Sequence, residues 1–200
     1  MPDCAAPGLL GHHVDPFICP EISRGGSGGR CAPRLPATGR CPMRVLTPTP
    51  LTAKAFAPFG DVLDATGDHR LINAGLCRRH HDRAILAFGP DARPGLSIFN
   101  AEPRALPYAF DLIERHPDGS QAFIPMTQNP FLVIVATGPD AAPLAFLTNG
   151  AQGINLARGT WHGVLTPLHA PGLFAVLDRI GPTPNLEEYR YPAPWTVLAP

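Results

Sequence analysis

Residues 108–125 read Tyr-Ala-Phe-Asp-Leu-Ile-Glu-Arg-His-Pro-Asp-Gly-Ser-Gln-Ala-Phe-Ile-Pro. At period two, Tyr108, Phe110, Leu112, Glu114 and His116 fall on one face. Strand side chains alternate faces, so this apolar row carries a carboxylate and an imidazole into the interior. Pro117-Asp118-Gly119 is turn chemistry, and the chain resumes as a strand at Gln121-Ala122-Phe123-Ile124. A hairpin with His116 opposite Gln121 puts both on one face, with Glu114 opposite Phe123. Buried polar groups are costly unless paired, so this cluster is the first candidate for chemistry.

On either side of this stretch the chain is dominated by short strands. Arg44-Val45-Leu46 and Gly60 to Asp64 read as strands, as do Ala84 to Phe88 and Leu96 to Asn100. Phe131 to Ala136 is continuously apolar and reads as buried on both sides. Leu144 to Leu147, Gly153 to Leu156, Thr160-Trp161-His162 and Leu173 to Asp178 follow. One short helix is expected within Leu51 to Phe59, capped by Thr52, or by Thr49 with Pro50 at the first helical position. Asp68 to Arg79 reads as polar turns, and the Pro-rich end from Pro182 to Pro200 as irregular packing over the barrel. Many short strands punctuated by Gly and Pro imply an all-β antiparallel sandwich or barrel. No helix–strand alternation supports a doubly wound sheet, and no phosphate-binding glycine loop or nucleophile elbow is present.

Residues 1–42 differ from the rest. They are rich in Gly, Pro and Cys, and residues 24–30 read Arg-Gly-Gly-Ser-Gly-Gly-Arg. Such a segment buries too little apolar surface to offset its ordering entropy, so we expect a disordered extension, with His12-His13 and Cys19 as incidental metal ligands. Met43 reads as an alternative start, leaving one domain over 43–200. The 16 basic and 16 acidic residues of the 200-residue chain cancel, which argues against nucleic acid and against a polybasic membrane contact. Lys54, the sole Lys, sits on an amphipathic start and reads as a surface residue. The five Cys form no CxxC pair, and residues 1–30 show no signal peptide, so a reducing cytoplasm is expected. The apolar run 131–136 is far too short to span a bilayer.

Glu114-x-His116 followed by Gln121 has the shape of a cupin's first motif, with Glu in place of the first His and Gln in place of the carboxylate. His162, from a later strand, matches the His of the second motif. Longer strings sharpen the resemblance. They are residues 72–76 with Arg79-His80-His81-Asp82, residues 114–126, residues 146–155 with Trp161-His162, and Leu177-Asp178-Arg179. From Met43 to about Gly181 the chain resembles the ureidoglycolate lyase family. That resemblance implies a cupin-like jelly roll, usually a homodimer, that splits ureidoglycolate into glyoxylate and urea. The family typically carries a second His directly after the one matching His162, where this chain has Gly163.

Ureidoglycolate is a carbinolamine, and its elimination needs a base for the hydroxyl proton and an acid for the leaving nitrogen. His titrates near working pH and burial can tune Glu toward it. His116 or His162 is the expected base, and Glu114 the acid or the group that orients His116. The same set, His116, His162, Glu114 and Gln121, could instead hold a divalent metal such as nickel or manganese. Gln121, Asn73, Arg79, Asn100 and Arg179 are the candidate substrate contacts. Arg79 and Arg179 could equally pair with Asp82 or Asp178. Asn155 is a further candidate for the urea, Arg115 is outward by alternation, Trp161 reads as core, and His80-His81 as a solvated pair. Two other readings stay open: a metal-dependent cupin of other specificity, and a non-catalytic cupin that binds a small ligand.

Overall fold

The computed structural model describes residues 43–200; the expected extension of residues 1–42, with His12, His13 and Cys19, lies outside them. Alternating apolar and polar positions, broken every few residues by Gly or Pro, produce fifteen short strands and a one-turn helix. In chain order these are β1 (Arg44–Leu46), β2 (Thr49–Pro50), α1 (Ala53–Phe56), β3 (Gly60–Leu63), β4 (Arg70–Ile72), β5 (Cys77–Arg79), β6 (Arg93–Asn100), β7 (Tyr108–Arg115), β8 (Gln121–Pro125) and β9 (Phe131–Ala136). They continue as β10 (Leu144–Leu147), β11 (Gly153–Leu156), β12 (Trp161–His162), β13 (Thr166–Pro167), β14 (Leu173–Ile180) and β15 (Glu187–Val197).

The strands form an eight-stranded sheet in the order β1-β15-β7-β12-β9-β10-β2, with β13 also on β9. A five-stranded sheet runs β3-β11-β8-β14-β6, and β4 and β5 form a small hairpin of their own. Only β1 with β15 and β2 with β10 pair in parallel. The fold is all-β and cupin-like, as the strand count and punctuation imply. Its interior is one cluster drawn from both sheets: Phe131, Val133, Val135 and Phe146 meet Phe123, Ile154, Leu156, Phe174 and Val176. Phe56 and Phe59, from α1 and the turn after it, close this cluster against Phe146. Thr52 caps α1, accepting a hydrogen bond at Oγ1 from the Ala55 amide at 3.2 Å. Each fully buried side chain of this kind contributes roughly 1.5–3 kcal/mol relative to exposure.

Every residue of β9 is buried. Val133 and Val135 face the interior, whereas Leu132, Ile134 and Ala136 join a second cluster on the other face with Trp161, Tyr191 and Val197. Trp161 is thus core, as expected, and Arg115 lies over its ring at 4.8 Å while pairing with Glu187. Lys54 is exposed.

Several expectations are corrected. β7 and β8 are not a hairpin: β7 pairs with β12 and β15, and β8 with β11 and β14. The Pro117–Ser120 connection crosses from one sheet to the other. Its donors are taken elsewhere: the Asp118 amide donates to Asn185 Oδ1 and the Ser120 amide to Ala87 O. The row from Tyr108 to His116 is not one face either. Phe110 and Ile113 both join the second cluster, while Glu114 faces the interior. The cause is β15, whose register shifts between Arg190 and Trp195 opposite Asp111, and such bulges sharpen local twist. β15 itself corrects the expectation of an irregular end. Its Pro192 and Pro194 fall within the shifted segment, where a missing amide costs no ladder bond. Residues 84–88, expected as a strand, are irregular and held by side chains, while β4 and β5 appear within the stretch read as turns.

Candidate active site

Glu114 and His162 sit directly opposite each other on β7 and β12. His162 also opposes Val135, and Glu114 opposes Glu188 on β15. The row Glu188–Glu114–His162–Val135 therefore crosses four adjacent strands on the interior-facing side. From the facing sheet, Gln121 shares a face with Leu156, its partner on β11, and so points into the same interior. His116 follows β7 at the start of the crossover. Its ring lies 5.3 Å from that of His162, edge to face. One ligand atom from each of Glu114, His116 and His162 lies within 4.8 Å of the others.

Both imidazoles are oriented by backbone carbonyls. His162 Nδ1 donates to Glu114 O at 2.7 Å, and His116 Nδ1 donates to Asn185 O at 2.6 Å. A neutral imidazole has one donor nitrogen, so each ring presents its Nε2 lone pair to the pocket. His162 Nε2 meets Gln121 Oε1 at 3.3 Å and Glu114 Oε1 at 3.8 Å. His116 Nε2 is buried with no hydrogen-bond partner. Four lone-pair donors converge, one of them orphaned, and each ring is braced at its other nitrogen. That is the donor chemistry of a divalent-metal site with its outer shell in place, and the residues fit such an ion.

Electrostatics follow from burial. His162 is 2% exposed, and burial followed by the neighbouring His116 holds its pKa down at about 3. It is uncharged at neutral pH, so its contact with Glu114 is not a salt bridge. Burial pushes the Glu114 carboxyl above its ordinary range; the charge of His116 opposes this and that of Glu188 adds to it.

Of the remaining sequence candidates, only Gln121 joins this cluster. Asn73 and Arg79 are exposed on the β4–β5 hairpin, and Asn100 is exposed at the end of edge strand β6. Arg179 donates to Phe88 O, Thr183 O and Thr183 Oγ1, clasping two loops. Among the described residues neither Arg79 nor Arg179 forms an ion pair. Asn155 faces away from Leu156 and donates to Asp61 and Ile85 O, which is a structural role. His80 Nδ1 contacts Thr66 O, and His81 is exposed. Position 163 also points away from the site, since a Cβ on Gly163 would meet the Ile134 side chain at 3.0 Å. A second imidazole there would turn from Glu114 toward the opposite face of the sheet.

Two residues of this neighbourhood escaped the sequence reading. Glu188 was hidden because β15 was not recognised as a strand. Asn185 acts partly through its backbone carbonyl, which no residue pattern reveals.

The sequence model of the ureidoglycolate lyase family matches residues 43–198. A ureidoglycolate lyase of Rhodobacter capsulatus is 57% identical over 152 residues, covering 74% of this chain and 94% of that protein. One from Mesorhizobium japonicum is 48% identical over 164 residues, 79% of this chain and all of the relative. A protein of Rhizobium meliloti named ureidoglycolate lyase 2 is 47% identical over 153 residues, 74% of this chain and 94% of the relative. By these matches and by its cupin-like fold, the chain belongs to the ureidoglycolate lyase family.

Proposed function

We propose that this protein cleaves ureidoglycolate to glyoxylate and urea, and that Glu114, His116, His162 and Gln121 carry the reaction. The observation behind this reading is the convergence of two braced imidazoles on a half-buried carboxyl in one polar cluster. His116 Nε2, buried and unpaired, takes the hydroxyl proton of the substrate. The electrons of the broken O–H bond form the aldehyde carbonyl, the C–N bond breaks, and its electron pair goes to the urea nitrogen. Glu114, whose carboxyl burial pushes above its ordinary range, returns a proton to that nitrogen. His162, a poor base at a pKa of about 3 and oriented by the Glu114 carbonyl, accepts a hydrogen bond from the substrate at Nε2, and Gln121 Oε1 beside it accepts another. A divalent ion such as nickel or manganese, held by Glu114, His116, His162 and Gln121 Oε1, would itself acidify the hydroxyl as a Lewis acid when bound.

The deciding experiment is release of glyoxylate and urea from ureidoglycolate by the full chain, with and without added nickel or manganese after chelation. Release of neither product in any arm overturns the assignment.

The partner for the outer face of the five-stranded sheet is a second copy of this chain. Support comes from Leu96 and Ile98 on β6 and Ile124 on β8, which share that face across Ala175 of β14 and are 71%, 60% and 45% exposed. A monomeric mass by light scattering for the parent protein overturns it. No helix of the described residues is long and apolar enough to cross a membrane; a reducing cytoplasm is the location we propose, on the sequence reading above.

A further inference from the structure

The crossover that carries His116 has no ladder to hold it, yet the ring is aimed at Glu114 and His162. Its bracing comes from one residue of the segment before β15. Asn185 presents two acceptors on the same side. Its backbone oxygen takes the His116 Nδ1–H at 2.6 Å, and its side-chain Oδ1 takes the Asp118 amide at 2.7 Å. One residue thus grips the crossover at both ends of Pro117, which has no amide to offer. Further contacts close around this grip. The Gly159 amide donates to His116 O at 2.9 Å, and Arg158 Nε donates to Pro117 O. Gly119 is pressed so closely on Arg179 that a Cβ there would lie 2.7 Å from the Arg179 Cβ.

We propose that Asn185 is a positioning residue for this enzyme: its side-chain oxygen, by holding the Asp118 amide, keeps its backbone oxygen on the His116 Nδ1–H, and so holds the ring in that form with the Nε2 lone pair turned toward Glu114 and His162. The argument rests on the reading of that cluster as the lyase site. A short amide is suited to this task, because its oxygen reaches a neighbouring amide while its backbone oxygen stays beside the ring. Asp keeps an oxygen at the same distance; Ala keeps only the backbone oxygen and releases Asp118. Partners of this outer kind typically change activity or metal affinity by roughly 10–100-fold when removed.

The test compares the full chain with Asn185→Ala and Asn185→Asp. Three quantities are measured: kcat and KM for ureidoglycolate, the melting temperature, and the imidazole nitrogen shifts of His116 in the metal-free protein. The expected result is a roughly 10–100-fold fall in kcat for the Ala variant, with KM and melting temperature little changed. Its His116 signals should move from the Nδ1–H pattern toward a tautomer average, and Asp should restore both readouts. Parent-like kcat and parent-like His116 shifts in the Ala variant overturn the proposal. So does a fall in kcat that Asp does not rescue, or one with unmoved His116 shifts, since either marks a merely structural role. If the parent releases no glyoxylate, the lyase reading fails, while the nitrogen shifts still decide whether Asn185 sets the ring.

Discussion

The two halves of the site are built on different principles. Glu114 and His162 sit in a ladder, each backbone held by neighbours on both sides. His116 sits on a crossover between sheets, held by the Arg158 and Asn185 side chains, the Gly159 amide and the Asn185 carbonyl. A ladder spreads its hold over many backbone bonds, so a changed side chain alters chemistry and leaves position alone. A clasped crossover concentrates its hold in a few side chains, so position itself depends on them. The contrast teaches that residues remote from the chemistry should matter on one half and not on the other.

The largest expected effect sharpens the ladder half. Glu114→Gln should lower kcat by roughly 10²–10⁴-fold, the range of general acid–base assistance, with an unchanged melting curve. Near-normal turnover would remove Glu114 from the mechanism, and a large melting shift would show that the ladder position is not independent of its side chain.

Acid titration of stability comes next. His162 is held neutral when folded, with a pKa of about 3 against an unfolded value of 6.5. Between these values the unfolded chain binds the extra proton, so stability rises with pH across the window. The contribution of neutrality is fully present above about pH 6.5 and is lost progressively toward pH 3, by an amount on the order of several kcal/mol. Urea unfolding at a series of pH values checks this, and His162→Gln should flatten the slope within that window. An equal slope in the variant would place the acid sensitivity elsewhere.

Gly163→Ala probes how firmly the strand beside His162 is set. The new methyl meets Ile134 at 3.0 Å on the far face, so stability should fall by about 1–2 kcal/mol. Turnover should be kept, because the change points away from Glu114. Loss of activity without loss of stability would mean that position 163 communicates with the pocket.

The smallest effect belongs to the crossover. Arg158→Ala removes the hydrogen bond to Pro117 O from a largely exposed side chain. Stability should change by no more than about 0.5 kcal/mol, while kcat falls a few-fold. Unchanged kcat would show that the crossover is held well enough without it, and would narrow the contrast between the halves to Asn185.

Legibility in the sequence follows the same division. Short apolar runs and turn residues were enough to imply an all-β fold and to cap α1 at Thr52. These are local properties, set by a period of two and by φ/ψ preferences. Gln121 and His162 were marked by the motif resemblance, and Glu114 faces inward although the single face and the hairpin expected to turn it there do not form. The pairing of β7 was not legible, because Pro117-Asp118-Gly119 suits a tight hairpin and a sheet-to-sheet crossover alike. Proline hid β15, since punctuation that ends most strands here sits inside a bulge. Ala84 to Phe88 misled in the opposite sense: its apolar pattern has no neighbouring strand, and its amides are taken by Asp61 and Ser120 side chains. Asn73 and Arg79, taken from strings of the family resemblance, and Asn100 are exposed, and period and spacing do not reveal which polar residues of such strings reach the site.

The parallel pairing of β1 with β15 has a mechanical meaning. With Arg44 beside Trp195 and Leu46 beside Val197, the first and last strands run the same way. A pull applied at the outer ends of these two strands drags them past each other lengthwise, and all their bridging bonds bear the strain together. An antiparallel pair pulled from one end would open bond by bond like a zipper. Stretched between its two ends, the domain should therefore yield late and abruptly, with the shearing of that short seam as the event that releases the rest.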